Sequence, residues 1–125
     1  MEYIEYFTNE IMENLQKEGI YLSDLQVRKL CALFEAHELE KVDIKIIRDW
    51  YEKMDDYLVA FNVNSEHMLG IYAIDELGLL DLPDDASSYF DYEMYAVDLL
   101  ADGIGYFTDY GFVFENEYFR YKRIK

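Results

Sequence analysis

Along the first sixty residues, apolar side chains recur at helical spacing while polar ones fill the opposite faces. Ile4, Phe7, Ile11 and Leu15 fall in one narrow stripe, with Glu2, Glu10 and Glu13 across from it, and this predicts a helix that Gly19 stops. A second helix is expected to open at Ser23, because Gln26 three residues on completes a capping-box pattern. It should run to about Glu40 with Val27, Leu30 and Phe34 inward. The third has the clearest pattern. Ile47, Trp50, Tyr51, Met54, Leu58 and Phe61 share one face, and Asp49, Glu52 and Asp56 form a carboxylate stripe on the other. Asn62 to Ser65 then reads as a break.

Beyond that break the pattern gives a short helix from His67 to Leu77 ended by Gly78, and then a polar loop around Pro83. A further helix is expected from about Ser87 to Ala101. Gly105-Tyr106-Phe107-Thr108 and Phe112-Val113-Phe114 flank Asp109-Tyr110-Gly111, which predicts a hairpin of two aromatic-rich strands. The expected class is α+β and helix-dominated. A three-helix segment over residues 1–65 is followed by a small acidic lobe over 66–119, built from two helices and a β-hairpin, and then by a basic tail over 120–125.

Composition makes folding secure: 52% hydrophobic and 18% aromatic residues give a 125-residue chain enough apolar surface to offset its ordering entropy. The longest apolar runs, such as Tyr57 to Phe61, fall far short of the roughly 20 residues that cross a bilayer. The acidic start Met1-Glu2-Tyr3-Ile4-Glu5 lacks the basic and apolar stretches of a secretory signal. A single cysteine, Cys31, has no internal disulfide partner, so a reducing cytoplasm is the expected compartment.

The charge changes the picture more than any other feature. Residues 1–53 carry 12 acids and 7 bases; residues 54–119 carry 15 acids and no lysine or arginine; residues 120–125 carry Arg120, Lys122, Arg123 and Lys125. The middle stretch therefore holds nearly all of the formal net charge of −16 with no basic partner of its own, and its carboxylates repel one another.

Catalytic chemistry finds no foothold. Nucleophilic catalysis needs a serine or cysteine beside a positioned base, and neither His37 nor His67 lies near such an arrangement, while Cys31 sits in an apolar helical context. Glu35, His37 and Glu38 lack the second histidine of a zinc helix and read as an exposed face. The acidic loop Asp81 to Asp85 and the run from Asp98 to Gly103 miss the alternating oxygen ligands of a calcium loop. No cofactor or metal site is expected. A carboxylate pair for glycoside hydrolysis cannot be singled out among 27 acids, and the chain is short for a sugar cleft. The same acids oppose direct nucleic-acid binding, which rests on lysine and arginine meeting phosphate. The basic tail is expected to fold back onto the acidic body.

A compact 66-residue lobe is roughly 28 Å across, and duplex DNA carries about 16 charges over that length. The 15 carboxylates of residues 54–119 match that density. Such a surface would be steered toward the basic cleft of a DNA-handling protein. The competing reading is a protein-interaction adaptor that docks through its helical half and uses the charge for solubility alone.

The segment Tyr72-Ala73-Ile74-Asp75-Glu76-Leu77-Gly78 through Pro83, then Tyr89-Phe90-Asp91-Tyr92 through Asp98, then Gly105 to Phe112, resembles the C-terminal part of the ArdA antirestriction family, over about residues 69–117. The resemblance implies a non-catalytic acidic DNA mimic, carried by a phage or mobile element, that acts in the bacterial cytoplasm by occupying the DNA-binding cleft of a type I restriction-modification complex. It also implies a homodimer, with contacts expected at Leu79, Leu80, Leu82 and Tyr89. The carboxylates expected to stand in for phosphates are Asp55, Asp56, Asp75, Glu76, Asp84, Asp85, Asp91, Glu93, Asp98, Asp102 and Asp109. An anti-CRISPR protein blocking the basic channels of a Cas effector is the related alternative.

Overall fold

A Ser, Thr or Asp side chain opens each of the five α-helices among the residues 2–115 that the computed structural model describes. Thr8, Ser23, Asp43, Ser65 and Asp91 each accept a hydrogen bond from the backbone N–H three residues on, at 2.9–3.2 Å. These caps satisfy donors that the first helical turn would otherwise leave without partners. They start α1 (Asn9–Lys17), α2 (Asp24–Ala36), α3 (Ile44–Lys53), α4 (Glu66–Asp75) and α5 (Tyr92–Ala101). At Ser23 the full capping box forms, with Gln26 Oε1 accepting from the Ser23 N–H at 2.8 Å. None of these helices is long and apolar enough to cross a membrane.

The α+β, helix-dominated class is as the pattern predicts, and several boundaries differ from it. The first amphipathic stripe is split: Tyr3–Tyr6 is a 3-10 turn and Thr8 restarts the chain as α1, because its cap competes with a continuous helix. Helix α2 ends at Ala36 rather than near Glu40. Glu38 adopts a left-handed conformation (φ 54°), and the Leu39 N–H closes the turn onto the Phe34 carbonyl at 3.1 Å. Helix α3 ends at Lys53 and is followed by a 3-10 turn, Met54–Asp56, so Leu58 and Phe61 do not extend its face. Val59–Ala60 instead forms a strand, β1, that the helical periodicity concealed. Helix α4 starts at Glu66 and ends at Asp75, short of Leu77, while α5 starts only at Tyr92, after a 3-10 turn at Ser87–Tyr89.

The predicted hairpin is present as β2 (Gly105–Thr108) and β3 (Gly111–Phe114), and β1 adds to its far side in the order β1-β3-β2, all antiparallel. Val59 lies opposite Val113 and Ala60 opposite Phe112. Alternation along β3 then divides the interior in two. Val113 joins a first core with Leu15, Leu30, Leu33, Phe34, Ile47 and Trp50, whereas Phe112 and Phe114 join a second with Leu69, Ala73, Ala96, Leu99 and Ile104. Every residue of β3 is buried, as expected of a central strand covered on both faces.

Helices α4 and α5 pack against each other within the second core, and Gly70 makes that approach feasible. A methyl group there would run into the Tyr92 backbone carbonyl. Polar ties join the α2 side to the hairpin: Arg28 Nε donates to the Tyr110 carbonyl at 3.0 Å, with its guanidinium over the Phe61 ring, and Glu35 Oε2 accepts from the Asp109 N–H at 2.6 Å.

Candidate functional site

The eleven carboxylates singled out above are all exposed. Local structure places them in five groups. Asp55 and Asp56 lie on the 3-10 turn after α3. Asp75 is the last residue of α4 and Glu76 its C-cap. Asp91 caps the start of α5, Glu93 lies in its first turn, Asp98 lies in its last turns and Asp102 is its C-cap. Asp84 and Asp85 occupy the Pro83 loop, and Asp109 the turn between β2 and β3. Among the described residues the ion pair that forms is Arg48–Glu18, at 2.6 Å and half exposed, in the first half of the chain. The expected fold-back of Arg120 to Lys125 onto the acidic body lies outside the described residues.

These positions differ in their surroundings. Asp91 Oδ1 is committed to the Met94 N–H at 3.0 Å, so it works for the helix as well as for the surface. Asp109 stands against Glu35, whose carboxyl is pushed above its usual range by burial, an effect that the neighbouring Asp109 charge reinforces and the Asp109 N–H partly offsets. The Asp55 charge acts on Lys29, whose pKa burial lowers and that aspartate draws partly back up.

The acids at the ends of α4 and α5 are set against the helix dipole. A helix C-terminus carries a partial negative charge and favours lysine or arginine. Helices α1 and α3 obey this with Lys17 and Lys53 in their last turns, while α4 and α5 have no base there and end in Asp75 with Glu76 and in Asp98 with Asp102.

Apolar side chains interrupt the carboxylates, and periodicity alone did not single them out. Met94 (59% exposed) and Val97 stand on the outer face of α5, between Glu93 and Asp98 on that helix's circumference. Met68 is similarly exposed on α4, on the face that also carries Ile71 and Asp75. The available signal was that α4 and α5 are apolar nearly all round, which exceeds what one buried face requires. Of the expected dimer contacts, Tyr89 (88%) and Leu80 are exposed, Leu82 is half-buried, and Leu79 packs onto the second core.

The groups weighed for chemistry have structural occupations. Burial pushes the Cys31 thiol up to about 12, far from a reactive thiolate. The Leu33 carbonyl accepts from His37 Nδ1 at 2.8 Å, and the His37 ring lies 4.6 Å from that of Trp50, while His67 sits edge-on to Tyr92. Among the described residues no group of three or more His, Cys, Asp or Glu side chains could hold a metal ion.

Residues 2–114 match the family model described as Antirestriction protein (ArdA). The chain belongs to the ArdA antirestriction family. The match takes in the helices of the first half as well as the acidic second half, so membership is broader than the resemblance over residues 69–117. No curated protein is similar enough to the chain to match it.

Proposed function

We propose that this ArdA family member is a non-catalytic inhibitor that binds the DNA-binding cleft of a type I restriction-modification complex, with the carboxylates of residues 54–119 standing in for DNA phosphates. The observation that carries the reading is the placement of Asp75, Glu76, Asp98 and Asp102 at helix C-termini, where they oppose the dipole and have no cation beside them among the described residues. Acids that repel one another and also work against their own helices serve something other than the fold, and local rules broken without compensation mark functional surfaces. Met94 and Val97 add apolar contact area that a purely solubilising surface would lack. Leu80 and Tyr89 are available to a homodimer, which would join two such surfaces into a longer one.

The test is inhibition of a purified type I complex with duplex DNA as competitor, at rising salt. Inhibition should be stoichiometric, should be relieved by excess duplex, and should weaken steeply as salt screens the carboxylates. The informative variant is Asp91→Asn with Glu93→Gln, Asp98→Asn and Asp102→Asn, because asparagine at position 91 keeps the α5 cap while removing charge. Full inhibition by that variant would refute the mimicry. Loss of binding on truncating residues 1–65, with charge removal harmless, would assign the contact to the helical half.

A further inference from the structure

A cleft of about 260 Å³ opens where the chain leaves β1 and enters α4. This is below the roughly 300–1,000 Å³ of sites that enclose small-molecule ligands, and suits a single inserted side chain. Val63, Met68, Ile71 and Tyr72 supply apolar walls, and Asp75 and Glu76 line the same cleft. The two halves of this lining make different demands. Hydrocarbon walls gain from an apolar stem, whereas two carboxylates at a helix C-terminus gain from a cation. Neither carboxylate has an ion-pair partner among the described residues, and residues 54–119 contain no lysine or arginine. Burial, and then the Glu76 charge, raise the Tyr72 hydroxyl's pKa, so Tyr72 contributes a neutral ring and a donor rather than a third negative charge.

The geometry points to this cleft as the seat of one arginine side chain of the target protein, its alkyl stem against Met68 and Ile71 and its guanidinium between the Tyr72 ring and the carboxylates of Asp75 and Glu76. This rests on the reading that the chain occupies a basic DNA-binding surface, and it names the contact that makes the surface more than a field of charge. Arginine is favoured over lysine on chemistry: the guanidinium is planar, stacks on aromatic rings, meets carboxylates through a fork of donors and is the more weakly hydrated cation. A phosphate-mimicking surface elsewhere would accept either base. This cleft distinguishes them.

The experiment titrates the isotopically labelled full chain with n-propylguanidinium, the arginine side chain without its backbone, and with n-butylammonium, its lysine counterpart, at matched ionic strength. Amide shifts should be saturable and confined to the cleft lining, from Asn62 and Val63 to Met68, Ile71, Tyr72, Asp75 and Glu76, and the guanidinium should bind at least about threefold more tightly. The pair Asp75→Asn with Glu76→Gln should weaken it about tenfold or more, while Asp98→Asn with Asp102→Asn, which removes the same charge elsewhere, should change it less than about twofold. Both pairs are exposed polar exchanges, and unchanged shifts outside the cleft verify their fold. Equal binding of the two cations, or shifts spread over α5, would mean counter-ion accumulation only and would overturn the assignment. So would an affinity that rises tenfold on replacing Arg120 and Arg123 by alanine, which would give the cleft to this chain's own tail, or cleft shifts on concentrating the protein alone, which would give it to a second copy. Inhibition assays separate the two layers of argument. A larger loss from the Asp75/Glu76 pair than from the Asp98/Asp102 pair supports the arginine seat; equal losses leave mimicry standing and overturn the seat; no loss from either overturns both.

Discussion

The two halves of this molecule bury comparable cores and treat their surfaces in opposite ways. In the first half, α1 and α3 end in Lys17 and Lys53, Arg48 pairs with Glu18, and Lys53 lies 4.3 Å from the Trp50 ring centre. In the second, α4 and α5 end in acids and no base follows until Arg120. Helix-end charge is one of the cheapest means of stabilising a fold; α1 and α3 use it, α2 has no base in its last turn, and α4 and α5 invert it with acids at or beside their ends. Under the proposed function, this contrast separates a surface that serves the fold from one that serves contact.

The largest effects test whether the halves are distinct inside as they are outside. Phe34→Ala in the first core and Phe112→Ala in the second should each cost about 3–5 kcal/mol. Because Val113 and its neighbours Phe112 and Phe114 feed opposite cores from one strand, we expect a single unfolding transition, with Phe112→Ala moving the urea midpoint reported by Trp50 fluorescence. A Trp50 midpoint unmoved by Phe112→Ala would make residues 1–65 and 66–119 independent lobes. Gly70→Ala should cost about 1–3 kcal/mol in a thermal melt followed by circular dichroism, since its methyl meets the Tyr92 carbonyl and must push α4 from α5.

Smaller effects sharpen the contrast of surfaces. Asp98→Asn with Asp102→Asn should raise the low-salt melting midpoint while lowering inhibition, and Lys17→Gln with Lys53→Gln should lower the midpoint while sparing inhibition. Added salt should likewise stabilise the wild-type fold and weaken its inhibition. Parallel changes in both quantities would remove the distinction between folding and contact surface. The smallest effect concerns Glu35. Its folded-state pKa is raised by burial and by Asp109, so its charged form costs stability above that folded value, and the cost vanishes once pH falls below the ordinary value of 4.5. Glu35→Gln, which keeps an acceptor for the Asp109 N–H, should be more stable than wild type at neutral pH, with the gap closing on acidification. A gap that widens instead would contradict the raised pKa.

The start of α2 was readable because Ser23 reaches ahead to Gln26 in a capping box, whereas Thr8 and Asp91, which cap α1 and α5 in the same way, lay inside longer apolar patterns that masked them. The stop of α1 at Gly19 and the end of α5 at Ala101 were also legible, but the end of α2 was not, since Glu38 takes its left-handed turn without the glycine that announces one. The acidic stretch was legible as composition, whereas its conflict with the helix dipole became visible only once α4 and α5 had defined ends.

The sequence by itself determined the helix-dominated class and the hairpin, which depend on spacing within about ten to twenty residues, and the ArdA resemblance and the base-free stretch, which depend only on the linear order of residue types. Only the tertiary structure decided that Val59–Ala60 is a strand, since its hydrogen-bonding partner lies in β3, about fifty residues away. It also decided that one strand serves two cores, and that Val63, Met68, Ile71, Tyr72, Asp75 and Glu76 come together along an open cleft. Pairing and juxtaposition are properties of what the chain meets in space, and no local pattern encodes them.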